Sequence, residues 1–154
     1  ALMGKNGCGK SSLLKLIHGE NITYTGDLSI GSGLKISYIP QDTSFLKGSL
    51  DDFVYEHQID GTLFKTILRK LDFSQDQFVK DMDDFSSGQK KKVLIAKSLC
   101  EEAHLYIWDE PINYIDILSR MQIEKVILEY QPTLLFVEHD RAFCESIGTK
   151  FITL

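Results

Sequence analysis

Gly4-Lys5-Asn6-Gly7-Cys8-Gly9-Lys10-Ser11 is the stretch that decides the fold. It satisfies GxxxxGK(S/T), a pattern with a physical purpose. A loop that wraps phosphates must turn its N–H groups inward. Glycine permits the backbone angles and the close approach that this needs. In such a loop Lys10 reaches the β- and γ-phosphates, and the Ser11 hydroxyl binds Mg²⁺. The helix that follows, over about 11–18, points its positive N-terminal end at the anion. The phosphate-binding candidates are therefore Gly4, Lys5, Asn6, Gly7, Cys8, Gly9, Lys10, Ser11 and Ser12. Cys8 sits where only backbone is needed, and beside Lys10 it is a candidate reactive thiol.

The surrounding chain sets limits on what this loop can serve. A chain of 154 residues is long enough for one domain with a sizeable core. Its net charge of −5 speaks against a whole-domain basic footprint for nucleic acid, although local patches stay open. Cys8, Cys100 and Cys144 show no metal-ligand spacing and cannot all pair, so no disulfides and a reducing, cytoplasmic setting are expected. No apolar run reaches about 18 residues, so no membrane insertion is expected. Only Ala1-Leu2-Met3 precede the loop, too little for the strand that normally feeds it. The expectation is a fragment with truncated N-terminal strands, lacking whatever holds an adenine ring from upstream.

Leu13, Leu14, Leu16 and Ile17 give the first helix an apolar face, with Gly19 as its C-terminal cap. Strand-like runs follow at 27–30 and 35–39, with Gly31-Ser32-Gly33 between them, so a hairpin is expected. From 45 to 80 strand signals vanish. Helical spacing appears at 50–56 and 62–71, and a short third helix at 75–80. Another helix opens at Phe85-Ser86-Ser87-Gly88-Gln89 and runs to about Cys100, with Lys90, Lys91, Lys92 and Lys97 expected in solvent. Strands at 104–108 and 133–137 read as buried, and 150–154 reads as a last strand. Helices are expected at 116–130 and 141–147. Strands alternating with helices imply a mainly parallel sheet, and thus an α/β fold. The expected division is a core of 1–44 and 101–154 with a helical insert over about 45–100.

An apolar strand that ends in acids is the expected partner of a phosphate loop. Asp109 is placed to hold Mg²⁺ and Glu110 to polarise an attacking water as general base. Alone, Ser86-Ser87-Gly88 is a helix cap and His139 a turn residue. The order of all these features changes both judgements. Phosphate loop, Gln41, Ser86-Ser87-Gly88-Gln89, Asp109-Glu110, Asp116 and His139 follow the order found in ATP-binding-cassette (ABC) ATPases, and the resemblance covers nearly the whole chain. It implies a P-loop NTPase fold with ATP and Mg²⁺ as ligands. It implies that Gln41 touches the metal with Ser11 and Asp109, and that His139 contacts the γ-phosphate beside Glu110 and Lys10. Ser86, Ser87, Gly88 and Gln89 resemble the signature LSGGQ, with Ser87 for its first Gly, and Asp116 resembles the D-loop aspartate. In the family the signature is offered to a nucleotide held by a second cassette, paired head-to-tail.

The wording narrows the resemblance. Asp109-Glu110-Pro111-Ile112-Asn113-Tyr114-Ile115-Asp116 is similar to DEPTNHLD, and His139-Asp140-Arg141-Ala142-Phe143 to HDRxF, both of the ABC-F group. That group comprises twin-cassette proteins acting on the ribosome. Trp108 to Arg120 and Gln41 to Leu46 look most like its antibiotic-resistance branch, as part of a second cassette. Glu138 stands where the family often has Ser, and the sequence offers no reason for it. Two rivals are a transporter cassette, with membrane spans elsewhere, and a module that senses ATP without hydrolysing it. His57 and His104 read as structural, and Lys90-Lys91-Lys92 as a solvated helix start rather than an RNA contact.

Overall fold

The protein is described by a computed structural model covering residues 1–154. The chain forms two compact units. The first comprises 1–41, 102–111 and 132–154; the second comprises 42–101 and 112–131.

In the first unit the phosphate loop leads from β1 (Leu2–Met3) into α1 (Lys10–His18). Gly9 and Gly19 bracket α1 in left-handed conformations, with φ of 99° and 100°. A side chain at either end would be strained, so glycine sets both limits of the helix. Strands β2 (Ile36–Ile39), β3 (Leu105–Asp109) and β4 (Leu134–Val137) form a parallel sheet in the order β2-β3-β4. Ile39 lies opposite Trp108, and Asp109 opposite Val137. The core joins Leu2, Leu14, Ile107 and Val137, with Leu13, Ile17, Ile36 and Leu135 packed around them. Full burial of a side chain such as Leu14 or Ile107 contributes about 1.5–3 kcal/mol. The register has a functional consequence. The C-terminal ends of three parallel strands deliver Gln41, Glu110 and His139 to one edge of the sheet, where ligands of open α/β sheets bind.

Three expectations change here. A strand does precede the loop: Leu2 and Met3 pair in parallel with Ile152 and Thr153 of β5. Residues 27–30 form no strand, and no hairpin joins them to β2, whose partner is β3. Leu28 and Ile30 alternate as a strand would, but they remain exposed, outside the buried core. The last strand, β5, is confined to Ile152–Thr153.

The second unit contains α2 (Leu50–His57), α3 (Gly61–Lys70), α4 (Ser87–Cys100) and α5 (Ile117–Tyr130). Two 3₁₀ turns lie at Gln75–Val79 and Met82–Asp84, the first in place of the short helix expected at 75–80. Each helix starts where a short polar side chain accepts a backbone N–H three residues on. Ser49 accepts from Asp52, Asp60 from Leu63, Ser86 from Gln89 and Asp116 from Ser119. Phe73 sits edge-on to both Phe78 and Phe85, at 5.8 and 5.5 Å between ring centres. The α4 lysines depart from expectation: Lys91 and Lys92 are only 2% and 7% exposed. Their aliphatic stems lend themselves to burial in a helix packed on several sides. In the remaining chain, α6 (Arg141–Ile147) belongs to the first unit and is capped by Asp140, which accepts from Phe143.

Candidate functional site

The loop itself is built for an anion. Gly7 and Gly9 have φ of 80° and 99°, and a Cβ at either would meet nothing within 4 Å. Their backbone therefore faces open space in conformations that only glycine adopts without strain. Gly4 is different: a Cβ there would lie 2.7 Å from Cys8 Sγ and 3.1 Å from the Leu154 carbonyl oxygen. Gly4 thus allows the loop to close on itself. Lys10, 7% exposed, donates from Nζ to the carbonyls of Gly4 and Lys5 at 2.9 and 3.0 Å. Its ammonium also lies 4.0 Å from Cys8 Sγ. An entering phosphate would compete with those two neutral carbonyls for the ammonium, an exchange that a charged acceptor favours.

Above this loop lies a cleft of about 310 Å³, lined by Asn6, Gly7, Gly9, Lys10, Ser11, Ser12, Gln41, Glu110 and His139. Nine residues from four separated stretches of sequence thus share one concavity, of a size that suits a small ligand. Gly4, Lys5 and Cys8 shape the loop without lining the cleft. Asp109 is fully buried at the end of β3, immediately before Glu110.

Glu110 is the centre of the polar arrangement. Its backbone is left-handed at φ 50°, a conformation uncommon outside glycine, and its N–H donates to Val137 O at 2.9 Å. Strain of this kind persists where the surroundings over-determine it, and it clusters at functional sites. The Glu110 side chain is held from two sides. Gln41 Nε2 donates to Glu110 Oε2 at 2.8 Å, and His139 Nε2 lies 3.3 Å from Oε1. A carboxylate braced by an amide and an imidazole, facing a phosphate loop across a small cleft, can orient a water and accept its proton.

The donor set suits Mg²⁺. The Ser11 hydroxyl, the Gln41 amide oxygen and the Asp109 carboxylate are all hard oxygen donors, and only one of them is charged. Mg²⁺ in nucleotide sites takes one or two such groups and completes its shell with phosphate and water.

The signature residues and Asp116 lie in the second unit. Ser86 caps α4 in a reciprocal box: its N–H donates to Gln89 Oε1 at 2.8 Å, and Gln89 N–H donates to Ser86 Oγ at 3.2 Å. Ser86 and Ser87 are exposed, whereas Gly88 is buried. A Cβ on Gly88 would lie 2.2 Å from the Tyr114 carbonyl oxygen, so only glycine fits there. Asp116 accepts N–H and hydroxyl bonds from Ser119 and pairs with Lys92 Nζ at 2.6 Å. Desolvation pushes its carboxyl upward, but the bonds from Lys92 and Ser119 and the Lys92 charge outweigh it. The Asp116 carboxyl is held well below its ordinary value. Sequence reasoning placed Lys92 in solvent and missed this link. The acid–base pair is spread over 24 residues of chain, and no local pattern announces it. His104 accepts from the Lys35 N–H at 3.0 Å, and His57 packs edge-on to Phe53 at 4.3 Å between ring centres.

The sequence profile of the ABC transporter family matches residues 1–113, most of the chain, a span that holds the phosphate loop, Gln41, Ser86 to Gln89, Asp109 and Glu110 and stops short of Asp116 and His139. The chain belongs to the ABC transporter family. Among the relatives of this ABC domain are the ATP-binding protein Uup of Buchnera aphidicola and YdiF of Bacillus subtilis. Each is 35% identical over 158 residues, spanning 97% and 100% of this chain. ABC transporter F family member 2 of Arabidopsis thaliana is 31% identical over 159 residues and 99% of the chain. The chain spans only 26%, 25% and 23% of those three proteins, about a quarter of their length. Among solved structures, a cobalt transport ATP-binding protein superposes with a TM-score of 0.81 at 23% identity. It covers 99% of this chain and 63% of its own. The archaeal ribosome recycling factor aABCE1, solved with the ribosomal stalk protein aP1, superposes with a TM-score of 0.76 at 22% identity, over 99% of this chain and 31% of its own. These likenesses bear on the fold, which is that of an ABC ATPase domain: α/β, P-loop NTPase, with parallel strands. No helix is long and apolar enough to cross a membrane.

Proposed function

We propose that this ABC domain binds ATP with Mg²⁺ in the first-unit cleft and hydrolyses it, and that it is one cassette of an ABC-F protein acting on the ribosome. One observation carries the catalytic part: Glu110 faces the phosphate loop with Gln41 and His139 on its two oxygens. In this reading the loop amides and Lys10 neutralise the phosphates, and Ser11, Gln41 and Asp109 would hold the metal. When bound, Mg²⁺ supplies charge neutralisation at the β- and γ-phosphates. Glu110 accepts a proton from the attacking water, and His139 steadies both Glu110 and the γ-phosphate. Residues 1–44 and 101–154 serve as the catalytic core, and about 45–100 as the helical insert.

The signature end of α4 presents Ser86, Ser87 and Gly88 at a helix N-terminus, a second anion-favouring position in one chain. Its use is to complete the nucleotide site of a second cassette, paired head-to-tail. Closing on ATP holds the protein on the ribosome, and hydrolysis releases it. The F-family relative supports the ABC-F part of the reading, as do the wording of 109–116 and of 139–143. Protection of ribosomes from antibiotics is the specific role proposed for the parent protein.

ATP titration and phosphate release, measured on the wild type and on Glu110→Gln, test the reading. ATP should bind both. Turnover of the isolated chain should stay well below about one per second, and in the paired, full-length protein Glu110→Gln should lower turnover at least about 100-fold. Undiminished turnover in Glu110→Gln would remove Glu110 from its role. In full-length protein the same variant should co-sediment with ribosomes under ATP; its absence from the ribosomal pellet would count against the ribosomal assignment.

A further inference from the structure

We infer that Glu138 is a positioning residue that sets His139 against Glu110. The inference rests on the ATP-hydrolysing reading and names a further part of the same site. Glu138 is 4% exposed, an unusual place for a carboxylate. A buried carboxylate must be satisfied by its surroundings. Its Oε1 accepts the N–H of His139 at 2.7 Å and the N–H of Asp140 at 3.4 Å. The first length is that of a charge-assisted bond.

The turn that carries His139 is pinned on both sides of this contact. Upstream, Val137 O accepts the N–H of Glu110 at 2.9 Å, which ties the end of β4 to the residue His139 must meet. Downstream, Asp140 caps α6 by accepting from Phe143 N–H at 2.8 Å, and its carbonyl accepts from Cys144 N–H at 3.0 Å. Cys144, itself 1% exposed, donates from Sγ to the Glu138 carbonyl at 3.6 Å. Between these anchors the chain must turn through His139, whose side chain is 47% exposed and reaches Glu110 across 3.3 Å. The Glu138 carboxylate fixes the peptide of that one residue. The side chain folds back over its own peptide and collects the next two N–H groups. His139 is thereby held against Glu110 by the protein's own fold.

The test joins amide hydrogen exchange to kinetics in full-length protein. Glu138→Met keeps the volume and removes the acceptor, and Glu138→Gln keeps an acceptor oxygen at the same reach. The wild-type His139 amide should be protected. Glu138→Met should lose that protection by about tenfold or more, and Glu138→Gln should retain most of it. Turnover should follow: kcat about tenfold lower in Glu138→Met with KM within about twofold, and rescue by Glu138→Gln to within about threefold. In a His139→Ala background Glu138→Met should cost nothing further, because it acts through His139. An unprotected wild-type His139 amide, or a full kcat loss that persists in the His139→Ala background, would overturn the inference. A wild type that hydrolyses no ATP would overturn the functional reading instead, and the exchange result would then decide the clamp by itself.

Discussion

At the scale of single residues, the roles divide by what each backbone position tolerates. Gly7 and Gly9 are glycine because of their dihedral angles, and Gly88 because of what lies against it. A methyl group at Gly88 would have to displace the Tyr114 carbonyl from 2.2 Å. Gly88→Ala should therefore cost about 1–3 kcal/mol, seen as a Tm several degrees lower. An unchanged Tm would show that the contact yields freely. Ser87, by contrast, is exposed, so a Cβ where the family has glycine is accommodated in this chain by open space. The loop pattern pointed to Lys10 and Ser11, and the acids after an apolar strand to Asp109 and Glu110; the structure puts Lys10, Ser11 and Glu110 on one cleft, with Asp109 buried next to Glu110. Glu138 was not legible. A side chain bonding the next two N–H groups leaves no period or spacing to read, and burial is visible only once the strands are assembled.

At the scale of elements, helix limits were the most readable feature, because caps are local chemistry. Ser49, Asp60, Ser86, Asp116 and Asp140 each open a helix by bonding three residues ahead. The strand at 27–30 failed for the opposite reason. Alternation of Leu28 and Ile30 satisfies the local pattern, but a strand needs a partner, and 27–30 pair with no strand even though β2 lies at the edge of its sheet. The Lys90-Lys91-Lys92 run misled in the same way, since charge suggests solvent while a long stem permits burial. The resulting Lys92–Asp116 pair joins α4 to the cap of α5 and carries a pH signature. The Asp116 carboxyl is depressed in the folded state, so its contribution is complete above the unfolded value and vanishes as pH falls through the folded one. Lys92→Met should lower Tm by a constant amount from pH 7 to about pH 5 and by less below about pH 4. A gap that widens in acid would contradict the assignment.

At the scale of the whole molecule, α1 in the first unit and α4 in the second each carry a pair of serines at the N-terminus, Ser11-Ser12 and Ser86-Ser87. The first faces a cleft that also holds an amide, a carboxylate and an imidazole. The second has a capping box and a glycine pressed against a neighbouring carbonyl. In the proposed reading the first is the domain's own nucleotide site and the second is the surface it offers to another cassette. The fold class followed from the sequence because alternating apolar strands and capped helices around a phosphate loop admit few arrangements. The meeting of Gln41, Glu110 and His139 required the parallel register that brings three strand ends to one edge. The most direct measurement is a crystal structure of the protein with Mg²⁺ and a non-hydrolysable ATP analogue. The account predicts the triphosphate along residues 4–12, with Lys10 Nζ on the β- and γ-phosphates instead of the Gly4 and Lys5 carbonyls, and Glu110 and His139 at the γ-phosphate. A triphosphate bound elsewhere, with Lys10 still on those carbonyls, would contradict it.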